Sequence, residues 1–176
     1  MTTDNITPVE IPAVGTYRID PSRSTVSYSS RHMLGLGVVH ATFTIGSGEL
    51  VVADPPTAST VDVSIAAGSF NSSNARRDKD VRGARLLDVA TFPVITVTSS
   101  GLRQDSGHWL LAGSVTAHGS TVPVEVTVDR ATAEGDGIRV HAKAERLDPY
   151  TFGITASKGM VGRYLDLDLD VFAAAE

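Results

Sequence analysis

Five histidines, at positions 32, 40, 108, 118 and 141, are the side chains of this sequence that change charge near neutrality. They are the first candidates for proton transfer or metal ligation. No two stand two or four residues apart, and no glutamate sits between a pair of them as in a zinc-protease helix. A metal centre would therefore have to be assembled from separate strands, and none is expected. The run "DLDLD" puts Asp166, Asp168 and Asp170 on one face of a strand, a face that reads as the solvated outside rather than a cation site. "ARRDKD" is open to three readings: a solvated helix face, an Arg77–Asp78 pair that pins a helix across the end of the fold, or an arginine that meets an anionic head group. There is no nucleophile elbow, phosphate loop or dinucleotide fingerprint. The absence of cysteine excludes disulfides, thiolate metal sites and a cysteine nucleophile.

His32 raises the sharpest question. In "TVSYSSRHMLGLGVVHATF" the residues Val26, Tyr28, Ser30 and His32 alternate onto one face of a strand. An unpaired polar group in a dry core costs roughly 1–3 kcal/mol, so a face that runs from valine to histidine needs a reason. Either the histidine is satisfied within its own core, or the face lines something that is not core.

The elements that would carry these residues are strands. "VVHATFTI", "ELVVAD", "STVDVSIAA", "VITVTSSGL", "WLLAGSVTA", "VPVEVTVD", "GIRVHAKAERL" and "YLDLDLDVF" alternate apolar and polar residues between turn signals. Such a chain is all-β, as an antiparallel sandwich or a closed barrel. Two segments break the rhythm. Residues 73–90 fit short helical turns, with candidate N-caps between Asn71 and Asn74 and a weak point at Gly83, and "ASKGMVG" suggests a further turn.

At 176 residues one domain is expected, running from 15 to 176 behind a flexible lead-in at 1–14. The net charge of −5 argues against a nucleic-acid partner. Of the 15 basic residues 12 are arginine, which leaves room for local anion sites. No stretch approaches the roughly 20 apolar residues of a membrane span, and the N-terminus has no signal-like run, so a soluble, cytoplasmic protein is expected.

The order of motifs resembles the YceI-like family of lipocalin-like, polyisoprenoid-binding proteins. The resemblance rests on "GTYRIDPSRSTVSY", "RHMLGLGVVHATF", "RRDKDVRGARLLDVATFPVITV", "LAGSVTAHGSTVPVEVTV" and "RLDPYTFGI" in that order. The chain departs from the family pattern at Arg23, where the family has histidine, at Ala41, where it has glycine, and at Leu86 and Leu87, where it has phenylalanines.

The resemblance implies an eight-stranded antiparallel barrel with a short helical cap, whose apolar interior holds an isoprenoid or similar long-chain amphiphile of the quinone or prenyl phosphate type. Tyr28, Arg31, His32, Phe43, Arg77, Asp78 and Phe152 are the ligand-binding or end-closing residues it points to. It implies a carrier, store or sequestering protein rather than an enzyme, with no cofactor and with homodimerisation plausible through an apolar outer strand. Two other readings stay open: a barrel with a filled core that acts through a protein partner, and an isoprenoid-modifying enzyme that uses His32 as general base.

Overall fold

In "YLDLDLDVF" every second residue is apolar, the pattern of a strand with one face on the core. The computed structural model, which describes residues 10–32, 38–155 and 161–176, folds this stretch and its counterparts into nine strands: β1 (Gly15–Ile19), β2 (Thr25–His32), β3 (Val38–Val52), β4 (Thr60–Asn71), β5 (Val94–Asp105), β6 (His108–Ala117), β7 (Ser120–Glu134), β8 (Gly137–Leu147) and β9 (Val161–Ala175). The sole α-helix among the described residues, α1 (Ala75–Arg82), follows β4.

The sheet runs β2-β9-β8-β7-β6-β5-β4-β3 and closes through the β2–β3 pairing. The pairings round the ring are antiparallel, and β5 to β8 follow one another through tight hairpins, whereas α1 lies in the longer connection from β4 to β5. β1 and β2 occupy one position in this ring. β1 lies against residues 49–52 of β3 and 173–175 of β9, and β2 continues along the same two strands beyond a turn at Pro21–Arg23. Asp20 organises that turn by accepting from the Ser22 N–H at 2.9 Å. Counted by position, this is the eight-stranded antiparallel barrel that the family resemblance implies, and of the two architectures left open by the strand pattern it is the barrel.

The hairpins set the register. Between β6 and β7 both turn residues are left-handed, His118 at φ 52° and Gly119 at φ 77°. A two-residue turn of this hand matches the twist of the strands it joins. A β-carbon at Gly119 would press on the Phe92 ring at 3.0 Å.

α1 starts where a cap is available: Asn74 accepts from the Arg77 N–H at 3.0 Å. It stops at Gly83, whose N–H turns back to the Asp80 carbonyl at 3.2 Å. The predicted helical segment is therefore a two-turn helix followed by tight turns up to Phe92, because glycine gives up the helix where the chain must bend toward β5. Of the turn suggested in "ASKGMVG", residues 156–160 lie outside the described residues, and Val161 opens β9.

Strand direction gives the barrel two distinct ends. One carries α1, the β6–β7 turn and the 3-10 turn Pro149–Phe152. The other, here the mouth, carries the start of β4, the β5–β6 and β7–β8 turns and the segment that precedes β1.

Candidate ligand-binding site

Inward alternation brings aliphatic side chains from every strand position to the barrel axis, but they meet only in part of it. Toward the mouth they enclose an apolar cavity of about 190 Å³. Leu50, Val63, Val97, Val126, Val140 and Leu169 form its walls, and Trp109 stands among them. Glu10, Ile11 and Pro12 complete its rim. Two hydrogen bonds hold this strap: the Glu10 N–H donates to the Ala131 carbonyl at 3.2 Å, and the Tyr17 hydroxyl donates to the Ala13 carbonyl at 2.6 Å. Glu10 is the one ionisable residue among the described lining residues.

Toward the other end an aromatic cluster occupies the β2–β4 side of the interior. Val26 and Phe43 face each other across β2 and β3, and Leu169 pairs with Val26 from β9. One rung further on, Tyr28 lies opposite Ala41 and Leu167. Phe70, 3% exposed, joins the two rungs: it meets Tyr28 edge-on at 5.6 Å between ring centres and Phe43 at 5.4 Å. Val81 and Leu87, from α1 and the turns after it, pack against this cluster. Burial pushes the Tyr28 phenol above its ordinary range, moderated by the nearby Ser30 hydroxyl. The Ser30 Oγ has no hydrogen bond of ordinary geometry, although the residue is only 4% exposed.

α1 is latched to the end of β4 by a small polar network. The Asp78 carboxylate accepts from the Ser72 N–H at 2.9 Å and from the Ser72 hydroxyl, which in turn accepts from Arg77 Nε at 2.9 Å. The Ser72 hydroxyl bond leads in holding Asp78 below the usual carboxylate range, against its burial, with the Ser72 N–H, Arg82 and Arg77 adding to it. Arg82 bonds the Phe70 carbonyl, while its Nε is buried without a partner. Of the three readings of "ARRDKD", the geometry is that of the pinned helix.

The seven residues singled out from sequence thus fall at the helix end. Tyr28 and Phe43 meet through Phe70, and Arg77 and Asp78 meet through Ser72. Phe152 is buried in the 3-10 turn, where its carbonyl lies 3.1 Å from His118 Nδ1. Arg31 and His32 pair by backbone with Val38 and Val161, and their side chains lie outside the described residues. None of Tyr28, Phe43, Arg77, Asp78 and Phe152 is among the described lining of the mouth cavity. The strap and Trp109 carry no sequence signal beyond an apolar residue at a strand start.

A YceI-like domain model matches residues 17–173. The chain belongs to the YceI-like family. Protein YceI of Salmonella arizonae is 29% identical to it over 163 residues, covering 88% of this chain and 84% of that protein. The crystal structure of Burkholderia cenocepacia BcnA superposes with a TM-score of 0.78 at 18% identity, over 89% of this chain and 99% of that one. A polyisoprenoid binding domain from Saccharophagus degradans, implicated in plant cell wall breakdown, superposes with a TM-score of 0.69 at 16% identity, over 93% of this chain and all of its own, 100%. These likenesses establish the YceI-like barrel. Leu87, where the family pattern has an aromatic residue, packs against the core cluster.

Among the described residues no three histidines or carboxylates are grouped to hold a metal ion. No helix there is long and apolar enough to cross a membrane. The aspartates of "DLDLD" face outward and are used by β8: Asp166 accepts from the Arg146 N–H at 2.9 Å, Asp168 lies 2.7 Å from His141 Nε2, and Asp170 accepts from Arg139 at 2.9 Å.

Proposed function

We propose that the protein binds the apolar chain of an isoprenoid or comparable amphiphilic lipid in the mouth cavity, and acts as a carrier or store rather than a catalyst. The observation that carries this reading is the cavity itself: aliphatic walls from all round the barrel that enclose open space instead of touching. A void of this kind forfeits dispersion contacts that a packed core would make, and an apolar chain restores them. Each methylene transferred from water is worth about 0.8 kcal/mol, so affinity needs few polar contacts. Membership of the YceI-like family and the likeness to a polyisoprenoid binding domain support the same reading.

In this reading Arg77, Asp78 and Phe152 close the helix end, Tyr28 and Phe43 close the interior, and Arg31 and His32 belong to the same end. The head group stays at the mouth, beside the strap. The test uses Trp109, the one tryptophan of the chain and part of the cavity wall. Titration with farnesol should shift and saturate its emission, and native mass spectrometry should show a one-to-one adduct. An unchanged spectrum together with an unliganded mass would overturn the reading in favour of a barrel that acts through its outer surface.

A further inference from the structure

We propose that Phe43, which stands just behind the lining and is backed by Tyr28 and Phe70, stops the ligand cavity from running deeper and sets the length of apolar chain that the protein accepts. The inference rests on the binding reading above and adds to it a limit that the family resemblance does not contain.

Three observations converge. The lining ends at Ile65, Val97, Ala142 and Leu169, and Leu169 shares its rung with Val26 and Phe43. On that rung and the next one toward the helix end three aromatic rings from the neighbouring strands β2, β3 and β4 meet edge to face, Phe70 with both Phe43 and Tyr28, and Val26 (0% exposed) and Ile45 (1%) belong to the same core cluster. Behind the rings α1 is fixed in place: Asp78 and Arg77 hold it to Ser72, and Arg82 to the Phe70 carbonyl, with Val81 packed against the core cluster. A chain that enters at the mouth therefore meets a wall part-way down.

The depth follows from strand geometry. On β4 the lining runs from Thr60 to Ile65. At ~3.3 Å per residue and a tilt of ~40° this is ~13 Å along the barrel axis. With C–C bonds of ~1.5 Å in a zigzag, that depth takes roughly ten carbons of extended chain. The volume agrees, because about 190 Å³ falls short of the roughly 300–1,000 Å³ of pockets that engulf a drug-sized ligand. The preferred ligand then has a short tail, or it buries only the end of a longer one and leaves the rest at the mouth.

The experiment is an affinity series of straight-chain primary alcohols from hexanol to hexadecanol, read by Trp109 emission on the full chain. In the unmodified protein affinity should rise roughly fourfold per methylene to about decanol and then stay level. Phe43→Ala should move the break to longer alcohols, and Ala142→Leu, which adds bulk at the cavity bottom, should move it to shorter ones. The two variants shift the break in opposite directions, so a fold lost in one leaves the other decisive. Affinity that climbs steadily to hexadecanol would overturn the limit, as would a break at the same alcohol in whichever variants fold, while leaving the binding reading in place. No response to any alcohol would overturn both.

Discussion

His141 Nε2 lies 2.7 Å from the Oδ1 of Asp168, one strand away on the outer face of the barrel. The other ring nitrogen lies 2.6 Å from Asp129 on the strand to the opposite side. A neutral imidazole has one N–H, so both carboxylates can be satisfied only by the imidazolium. Burial works against that charge, but the bonds to Asp129 and Asp168 prevail and raise the pKa above the ordinary histidine value. Lys143 stands 3.9 Å from Asp129, and Arg139 pairs with Asp170 beside it.

A stability profile follows. Because the folded pKa is raised, the contribution of this clamp is complete below the free-histidine value of about 6.5 and is lost as pH rises through the folded pKa. Thermal unfolding should show a higher Tm at about pH 6 than at about pH 9 from this group. His141→Asn should flatten that difference, at a cost below about 1 kcal/mol because the carboxylates are solvent-screened. A titration of the His141 ring signals that centres below the free-histidine value would contradict the clamp.

The latch on α1 predicts local rather than global loss. With Asp78→Asn the Ser72 N–H and hydroxyl lose a charged acceptor, and the helix should loosen from β4 while the barrel persists. Amide exchange within 75–82 should accelerate, with strand amides unchanged. In the unmodified protein the depressed Asp78 pKa makes this support present above the ordinary aspartate range and lost as pH falls through the folded value. Helix amides that keep their protection in Asp78→Asn would show that the latch contributes nothing.

The strap at the mouth should govern release. Tyr17→Phe removes the hydroxyl bond to Ala13, a contribution of about 1 kcal/mol, or roughly fivefold. The expected outcome is a ligand dissociation rate several-fold faster in stopped-flow displacement, with the association rate little changed. Equal dissociation rates would mean that Glu10–Pro12 do not retain the ligand.

Gly113 is a packing constraint of the wall. A β-carbon there would be driven into the Thr98 carbonyl oxygen, beside the irregularity where β5 shifts register between Ser99 and Gly101. Gly113→Ala should cost roughly 1–3 kcal/mol in chemical denaturation, the usual penalty of overpacking. A variant as stable as its parent would show that β5 yields without strain.

Much of the architecture is written in local patterns. The alternation in "LDLDLD" states which side of β9 faces in, since side chains on a strand point to opposite faces at every step. A helix start between Asn71 and Asn74 and a weak point at Gly83 are legible by rules that need no tertiary contact, although the sequence carried helical turns on to residue 90 where α1 ends at Arg82. The ordered motifs from Gly15 to Val171 pointed to the barrel and the YceI-like family, and the domain match confirms the family. What alternation cannot state is what an inward side chain touches. Val63 and Ile45 have the same signature in sequence, yet one is half-buried and borders the mouth cavity while the other, 1% exposed, lies within the core cluster. Likewise Arg77 and Asp78 read as a charge pair, while their common partner, Ser72, emerges only when α1 folds back on β4. The sequence by itself determined the strands, their inward faces and the family, because these follow from backbone periodicity and short-range chemistry. Only the tertiary structure decided that the inward side chains leave a cavity at the mouth and meet as an aromatic cluster farther in, because a cavity is a property of how side chains from many strands add up across the axis.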